Sequence, residues 1–297
     1  MRDSSGPFLT RRQLVGAMAW SALLPHRLGA SPVAQRIAVL DWAIAETLFA
    51  LGARPIALVA ASDWNRFVVE PRLPAGTVDI GIQQEVNFEL LAALRPDLIL
   101  TSPFSQDQEP ALARIGQVRR FTVFEATRTP LERPRTLTRE LGALIGAERQ
   151  AEALIARTDA HLADCRARLI RLRLPDIFLV SFLDARHVRA YGGVGLYQNV
   201  LDTLGLRNAW TRPTNAWGFG TTGIEGLATE KDVRLVAFQP IPADAQRTLA
   251  RSPLWRELPF VKAGHVSILP PVLMFGALPA ALRFARLLTA ELERVAG

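Results

Sequence analysis

Between positions 147 and 172 the chain runs without a single Gly or Pro, and Ala147, Ala151, Leu154, Thr158, Leu162, Cys165, Leu169 and Leu172 recur three or four residues apart. That period places them on one face of an α-helix. At 1.5 Å per residue the helix would be roughly 39 Å long, enough to span two lobes. On either side the pattern changes to short apolar runs alternating with shorter helical stretches, which implies parallel or mixed sheets covered by helices. The expected fold class is therefore α/β, with two α/β lobes joined by one long rigid helix. The expected boundaries are 31–135 for the N-terminal lobe, 136–174 for the connecting helical segment and 175–297 for the C-terminal lobe.

In the first lobe the apolar runs predict strands over 36–40, 55–60, 78–81, 96–101 and 121–124, with a helix over 44–51 closed by Gly52 and a helix over 88–94 capped by Asn87. In the second they predict strands over 176–182, 187–191, 233–238 and 266–269. Helices are expected over 196–204, closed by Gly205, over 245–250 and over 279–295.

The first thirty residues have a different purpose. Arg2, Arg11 and Arg12 precede a short apolar run from Gln13 to Leu24, and small residues follow around Ala30. The run falls short of the roughly 20 apolar residues that a membrane-spanning helix needs, and the order basic, apolar, small is that of a secretory leader. Residues 1–30 are expected to be a signal peptide, and Thr10-Arg11-Arg12-Gln13-Leu14-Val15 gives it the form of a twin-arginine signal. No Cys lies near the expected cleavage after Ala30, so a lipid anchor is not indicated, and the expected location is the periplasm of a Gram-negative cell.

Charge argues against a nucleic-acid partner. The net charge of +7 falls to about +4 once Arg2, Arg11, Arg12 and Arg27 leave together with Asp3, and the remaining surplus is dispersed. The single Cys165 cannot close an internal disulfide and lies in the apolar stripe of the long helix, where burial is expected rather than reactivity.

Catalytic signatures are thin. Gly192-Gly193-Val194-Gly195 lacks dinucleotide-loop spacing and reads as a tight turn. Four His and one Cys form no HExxH or CxxC pattern, and no G-x-S-x-G elbow occurs. No catalytic residue and no metal ligand is assigned, although an exported α/β enzyme acting on a small organic substrate stays open as an alternative. Aromatic residues in loops say more: Trp42 and Phe104 directly after strands, and Trp64, Trp217 and Phe275 in other loop segments. In α/β folds the carboxyl ends of strands form the ligand crevice, so these side chains are candidates to line it. Arg66, Gln83 and Arg186 are the polar candidates nearby.

The order and spacing of several stretches resemble the periplasmic ferric hydroxamate siderophore-binding proteins of bacterial ABC importers. They include Arg36-Ile37-Ala38-Val39-Leu40-Asp41-Trp42, Val78-Asp79-Ile80-Gly81-Ile82 and Leu183-Asp184-Ala185-Arg186-His187. Further along come Leu201-Asp202-Thr203-Leu204-Gly205, Asn208-Ala209-Trp210, Trp217-Gly218 and Ser252-Pro253-Leu254-Trp255. The resemblance implies a helical-backbone periplasmic binding protein fold and capture of an intact ferric siderophore. The protein would then have no cofactor of its own, and iron would arrive only inside the ligand. It further implies a monomer that delivers its cargo to an inner-membrane ABC permease with its ATPase.

By the same resemblance Trp42 and Trp217 stand at family tryptophan positions. Gln83 stands where an Arg would reach hydroxamate oxygens, Val68 and Thr101 replace family pocket tryptophans, and Leu273 and Phe275 replace the Trp and Tyr of the last pocket loop. Phe104 falls near a tyrosine position, without the hydroxyl. Glu109 and Glu225 fall at or near the acidic positions that meet basic residues of the permease. The departures leave open a non-hydroxamate ferric siderophore, a cobalamin or a haem as the guest.

Overall fold

The computed structural model describes residues 35–124, 131–229 and 232–297. The expected leader lies outside them. The first sheet is built from β1 (Ile37–Val39), β2 (Ala57–Leu58), β3 (Val78–Asp79), β6 (Leu98–Thr101) and β7 (Gln117–Arg120), in the order β3-β2-β1-β6-β7 and with every pair parallel. The central strands β1 and β6 are buried at every position, as expected of a parallel sheet covered on both faces. A small antiparallel ribbon, β4 (Gly81–Ile82) and β5 (Glu85–Val86), projects beyond β3.

Three short helices and one of nine residues complete this lobe: α1 (Trp42–Ala50), α2 (Trp64–Phe67), α3 (Phe88–Ala93) and α4 (Glu109–Leu112). The Asp41 carboxylate starts α1 by accepting from the amides of Ala43 and Ile44, and the Asn87 side chain starts α3 by accepting from Leu90.

The second sheet has the order β10-β9-β8-β11-β12, made by β8 (Asp176–Phe182), β9 (His187–Tyr191), β10 (Phe219–Gly223), β11 (Val233–Phe238) and β12 (Val266–Leu269). Strands β8, β11 and β12 run parallel, while β8, β9 and β10 form an antiparallel meander. Around them lie α7 (Leu196–Leu204), α8 (Ala243–Arg251), α9 (Pro253–Glu257), α10 (Pro259–Lys262) and α11 (Leu278–Ala296).

Between the sheets run α5 (Glu132–Ile145) and α6 (Glu148–Leu169). The 22 residues of α6 extend roughly 33 Å. Its buried stripe contains Ala151, Leu154, Thr158, Leu162, Cys165 and Leu169, the positions expected from periodicity, and Cys165 is fully buried. The long helix expected from periodicity is α6, and a second helix, α5, precedes it in the connecting segment. Gly146, at φ +68°, closes α5 with a left-handed turn, and α5 then packs on α6 so closely that a Cβ at Gly142 would lie 2.6 Å from the Ala151 Cβ.

One hydrophobic core runs behind both sheets. Val39 and Leu100 of the first sheet and Leu179, Val236 and Phe238 of the second share a buried cluster with α1, α5, α6, α7 and α11. Separate clusters cover the outer face of each sheet. Polar ties reinforce the junction: Glu70 of the first lobe pairs with Arg283 and Arg286 of α11, each at 2.7 Å. Relative motion of the lobes would have to shear this continuous layer.

Two expectations along the chain need correction. The edge strand of the first sheet is 117–120, not 121–124; its polar sequence carries no apolar signal because an edge strand is covered on fewer sides, and Phe121 and Val123 turn into the core beyond it. Strand β10 lies at 219–223, where the sequence pattern predicts no strand. Its register opposite β9, from Phe219 against Tyr191 to Gly223 against His187, comes from pairing and not from its own propensity.

Candidate ligand-binding site

The carboxyl ends of β1, β2 and β6 in the first lobe open toward those of β8, β11 and β12 in the second, and the segments leaving them enclose a cleft. Trp42 leaves β1 and opens α1. Its Nε1 donates to the Val59 carbonyl at 2.8 Å, which fixes the indole at the head of the helix. A hollow of about 430 Å³ lies against it, walled by Trp42, Gln83, Phe104, Leu273 and Phe275. A second hollow of about 400 Å³ uses the other side of Trp42, Leu273 and Phe275 and adds Arg189 and Tyr191 from the second lobe. A third, of about 310 Å³, is apolar and lies between Phe104, Phe124, Val194 and Trp217. Shared walls make these one compound cleft between the sheets.

Phe104 and Trp217 close part of its mouth. Their rings stack across the gap with centroids 4.6 Å apart and planes inclined by 24°, and Phe275 lies 6.0 Å from Trp217. Both remain substantially exposed, at 41% and 37%, so the stack is a surface contact between lobes and not core.

The structure thus gathers Trp42, Gln83, Phe104, Trp217, Leu273 and Phe275 around one cleft. Trp64 is a correction. It is fully buried, its Nε1 donates to Pro71 O at 2.8 Å, and it sits edge-on beneath Trp42 at 6.0 Å, supporting the wall without reaching the cleft. A large apolar side chain at the start of a short helix was indistinguishable in sequence from an exposed loop anchor. Val68 is buried in the same core, and Thr101 is buried with its hydroxyl donating to Glu109 at 2.8 Å.

Arg66 and Arg186 are corrections as well. Arg66 is exposed with its guanidinium over Phe67 at 5.0 Å, and Arg186 is exposed in the turn between β8 and β9. Neither lines any of the three hollows. The guanidinium in the cleft belongs to Arg189, which sequence reasoning missed. In β9 the apolar Val188 and Ala190 are buried while Arg189 and Tyr191 take the alternate face, so the period of two was the available signal. Arg189 is paired in register with Ser181, and the Tyr191 hydroxyl lies 2.9 Å from Ser181 Oγ.

Gln83 is less available than its place suggests. Its side-chain Nε2 donates to the Leu40 carbonyl at 2.9 Å, and its backbone carbonyl accepts from Gln108 Nε2 at 2.7 Å, so one amide hydrogen and the main chain are held as part of the wall. Asp41 also faces the first hollow; burial raises its pKa against the lowering effect of its hydrogen bonds. Among the described residues no group of three or more His, Cys, Asp or Glu could hold a metal ion.

Of the two acidic residues, Glu225 is exposed at the start of a 3-10 turn (Ile224–Leu227), with no ion pair among the described residues. Glu109 instead accepts from Arg120 at 2.7 Å and from Thr101, and the Arg120 hydrogen bond holds its carboxylate below the usual range. Among the described residues no helix is long and apolar enough to cross a membrane.

Comparison with known proteins gives the cleft its context. The chain is 32% identical to the iron(3+)-hydroxamate-binding protein FhuD of Escherichia coli, over 95% of this chain and 96% of that one. It is 24% identical to the achromobactin-binding periplasmic protein of Dickeya dadantii over 93% of each. The solved structure of FhuD from Vibrio cholerae with bound Fe3+-Desferal superimposes with a TM-score of 0.83 at 29% identity, covering 89% of this chain and 99% of that chain. These relatives are binding proteins of transport systems and not enzymes. Residues 37–273 match the periplasmic binding protein family, and the chain belongs to that family.

Proposed function

We propose that this protein captures an intact ferric siderophore of the hydroxamate type in the inter-lobe cleft and delivers it to an inner-membrane ABC permease driven by its ATPase. The observation that carries the reading is an aromatic-walled cleft, bounded by Trp42, Phe104, Trp217 and Phe275, that has no metal-ligand cluster among the described residues. Such a cleft suits an iron ion that brings its own oxygen donors inside an organic shell. Flat, stiff side chains bury the organic periphery at low entropic cost. The E. coli and V. cholerae relatives, whose names specify a ferric hydroxamate and Fe3+-Desferal, support the ligand class.

In this reading residues 1–30 export the chain by the twin-arginine route to the periplasm of a Gram-negative cell, where it acts as a monomer. The chain is then organised as lobes 31–135 and 175–297 with the connector 136–174 between them. Glu225, and Glu109 within its Arg120 pair, present acidic groups to the permease, one on each lobe. The continuous helical layer implies modest lobe movement on loading. Titration of the mature protein with a ferric trihydroxamate should quench tryptophan emission, and the iron-free chelator should do so far less. The reading fails if both produce the same response, or if Trp42→Ala and Trp217→Ala leave the quenching of the ferric complex untouched.

A further inference from the structure

We infer that the apolar hollow between Phe104, Phe124 and Trp217 is a separate subsite for an unbranched aliphatic tail, so that the guest it suits is an amphiphile, a ferric chelate carrying an acyl chain. The inference rests on the proposed ferric-chelate reading and adds to it the form of the ligand's organic part.

Both lobes make this hollow of about 310 Å³. Phe104, Val123 and Phe124 come from the first lobe, and Val194, Ala216 and Trp217 from the second. Apart from the Trp217 indole, none of these side chains can form a hydrogen bond. Such a lining rewards the burial of alkyl surface and gives a polar guest no partner. The apolar surface is also contiguous. Phe104 and Trp217 are both exposed, and the rings of Phe124 and Phe275 lie 5.8 and 6.0 Å from Trp217. An exposed apolar patch of this kind marks a binding groove more often than a lone surface aromatic does.

Its connections to the rest of the cleft suit a thin chain. Phe104 is the partition it shares with the first hollow. On the other side a recess of about 30 Å³ meets it along Val123, Phe124 and Val194, and meets the second hollow along Met274 and Phe275. That is about the space of one water molecule or one methylene, so a polymethylene chain passes in single file while the iron centre stays in the wider part of the cleft.

The polar groups at the recess are already engaged. Arg133 bonds to Glu140 and to the Thr122 carbonyl. Asn199 Nδ2 donates to the carbonyls of Val194 and Gly195, and its Oδ1 accepts from the Leu131 amide. A polar arm entering here would lose its water without gaining a partner, whereas an alkyl arm gains from the same dehydration. At about 30 Å³ per methylene the annex holds about eight to ten carbons.

The test uses ferrioxamine B acylated on its terminal amine with acetyl, butyryl, hexanoyl, octanoyl, decanoyl and hexadecanoyl groups, each as the ferric complex and below the concentration at which it forms micelles. All share one iron centre and one charge, so chain length is the only variable. Affinity for the wild type, read by tryptophan quenching, should rise about two- to fourfold per added methylene and level off at about eight to ten carbons. In Ala216→Leu and in Val194→Phe, which fill the annex and are checked for native circular dichroism, the dependence on chain length should become nearly flat. Equal wild-type affinity for the acetyl and octanoyl forms would overturn the inference while capture of a ferric chelate stands. A gain that continues undiminished to hexadecanoyl, or that persists in both filled variants, would overturn it too, because the tail would then lie elsewhere. If no form binds, acetyl included, the transport reading itself fails.

Discussion

Replacing Glu46 with Gln should make the protein's stability less dependent on pH. Glu46 lies one turn after Trp42 on α1 and is wholly buried, with Oε1 accepting from the Ala277 amide at the head of α11 and Oε2 unpartnered among the described residues. It therefore ties the helix that starts with Trp42 to the segment that carries Phe275. Burial, chiefly, raises its pKa from 4.5 to about 8. Between those values the native state holds a proton that the unfolded chain has released, so the contribution to stability is greatest below pH 4.5 and is lost as pH rises toward about 8.

A proton difference of one costs about 1 kcal/mol per pH unit, or about 2–3 kcal/mol over two units inside that window. For a protein of this size that corresponds to about 4–6 °C in melting temperature. Gln keeps the neutral shape and cannot ionise, so the variant should gain on the wild type by this amount between about pH 5.5 and pH 7.5. Melting curves followed by circular dichroism at several pH values measure it. The raised Asp41 is present in both proteins and largely cancels. Parallel dependence of the two melting temperatures on pH would refute the burial argument.

Other consequences concern packing and the cleft mouth. Gly142→Val places a side chain against Ala151, where even a Cβ would be 2.6 Å from its neighbour, and should cost about 1–3 kcal/mol in guanidinium unfolding; an unchanged midpoint would mean the α5–α6 contact is looser than described. Phe104→Ala removes the partner stacked on Trp217, so acrylamide should quench Trp217 more strongly and its emission should move to the red. Identical spectra would show that the stack does not persist in solution.

The fold was readable where local pattern and tertiary role agree. The stripe from Ala151 to Leu169 announced α6 because a helix packed on one side must repeat every three or four residues, and the apolar β1 and β6 announced a buried parallel sheet. It was not readable where pairing partners decide. Gln117–Arg120 becomes a strand only because β6 lies beside it, and Phe219–Gly223 only because β9 does. The same division runs through the site. Trp42 follows from its position after a strand and from resemblance, and Trp217 from its loop and from resemblance, but burial separates Trp64 from Trp42 although both are tryptophans at helix starts. Arg186 drew attention as part of a recognisable stretch; three residues on, the alternation of β9 aims Arg189 into the cleft instead.

Native mass spectrometry of the mature chain tests the central claim most directly, with ferric hydroxamates, catecholates and carboxylates offered beside their iron-free chelators. The account predicts a one-to-one adduct whose mass is that of chelator plus iron, strongest for a hydroxamate and absent or weak for the same chelator without metal. Iron bound alone, or adducts formed equally by the metal-free chelators, would contradict the capture of a preassembled complex between the two lobes.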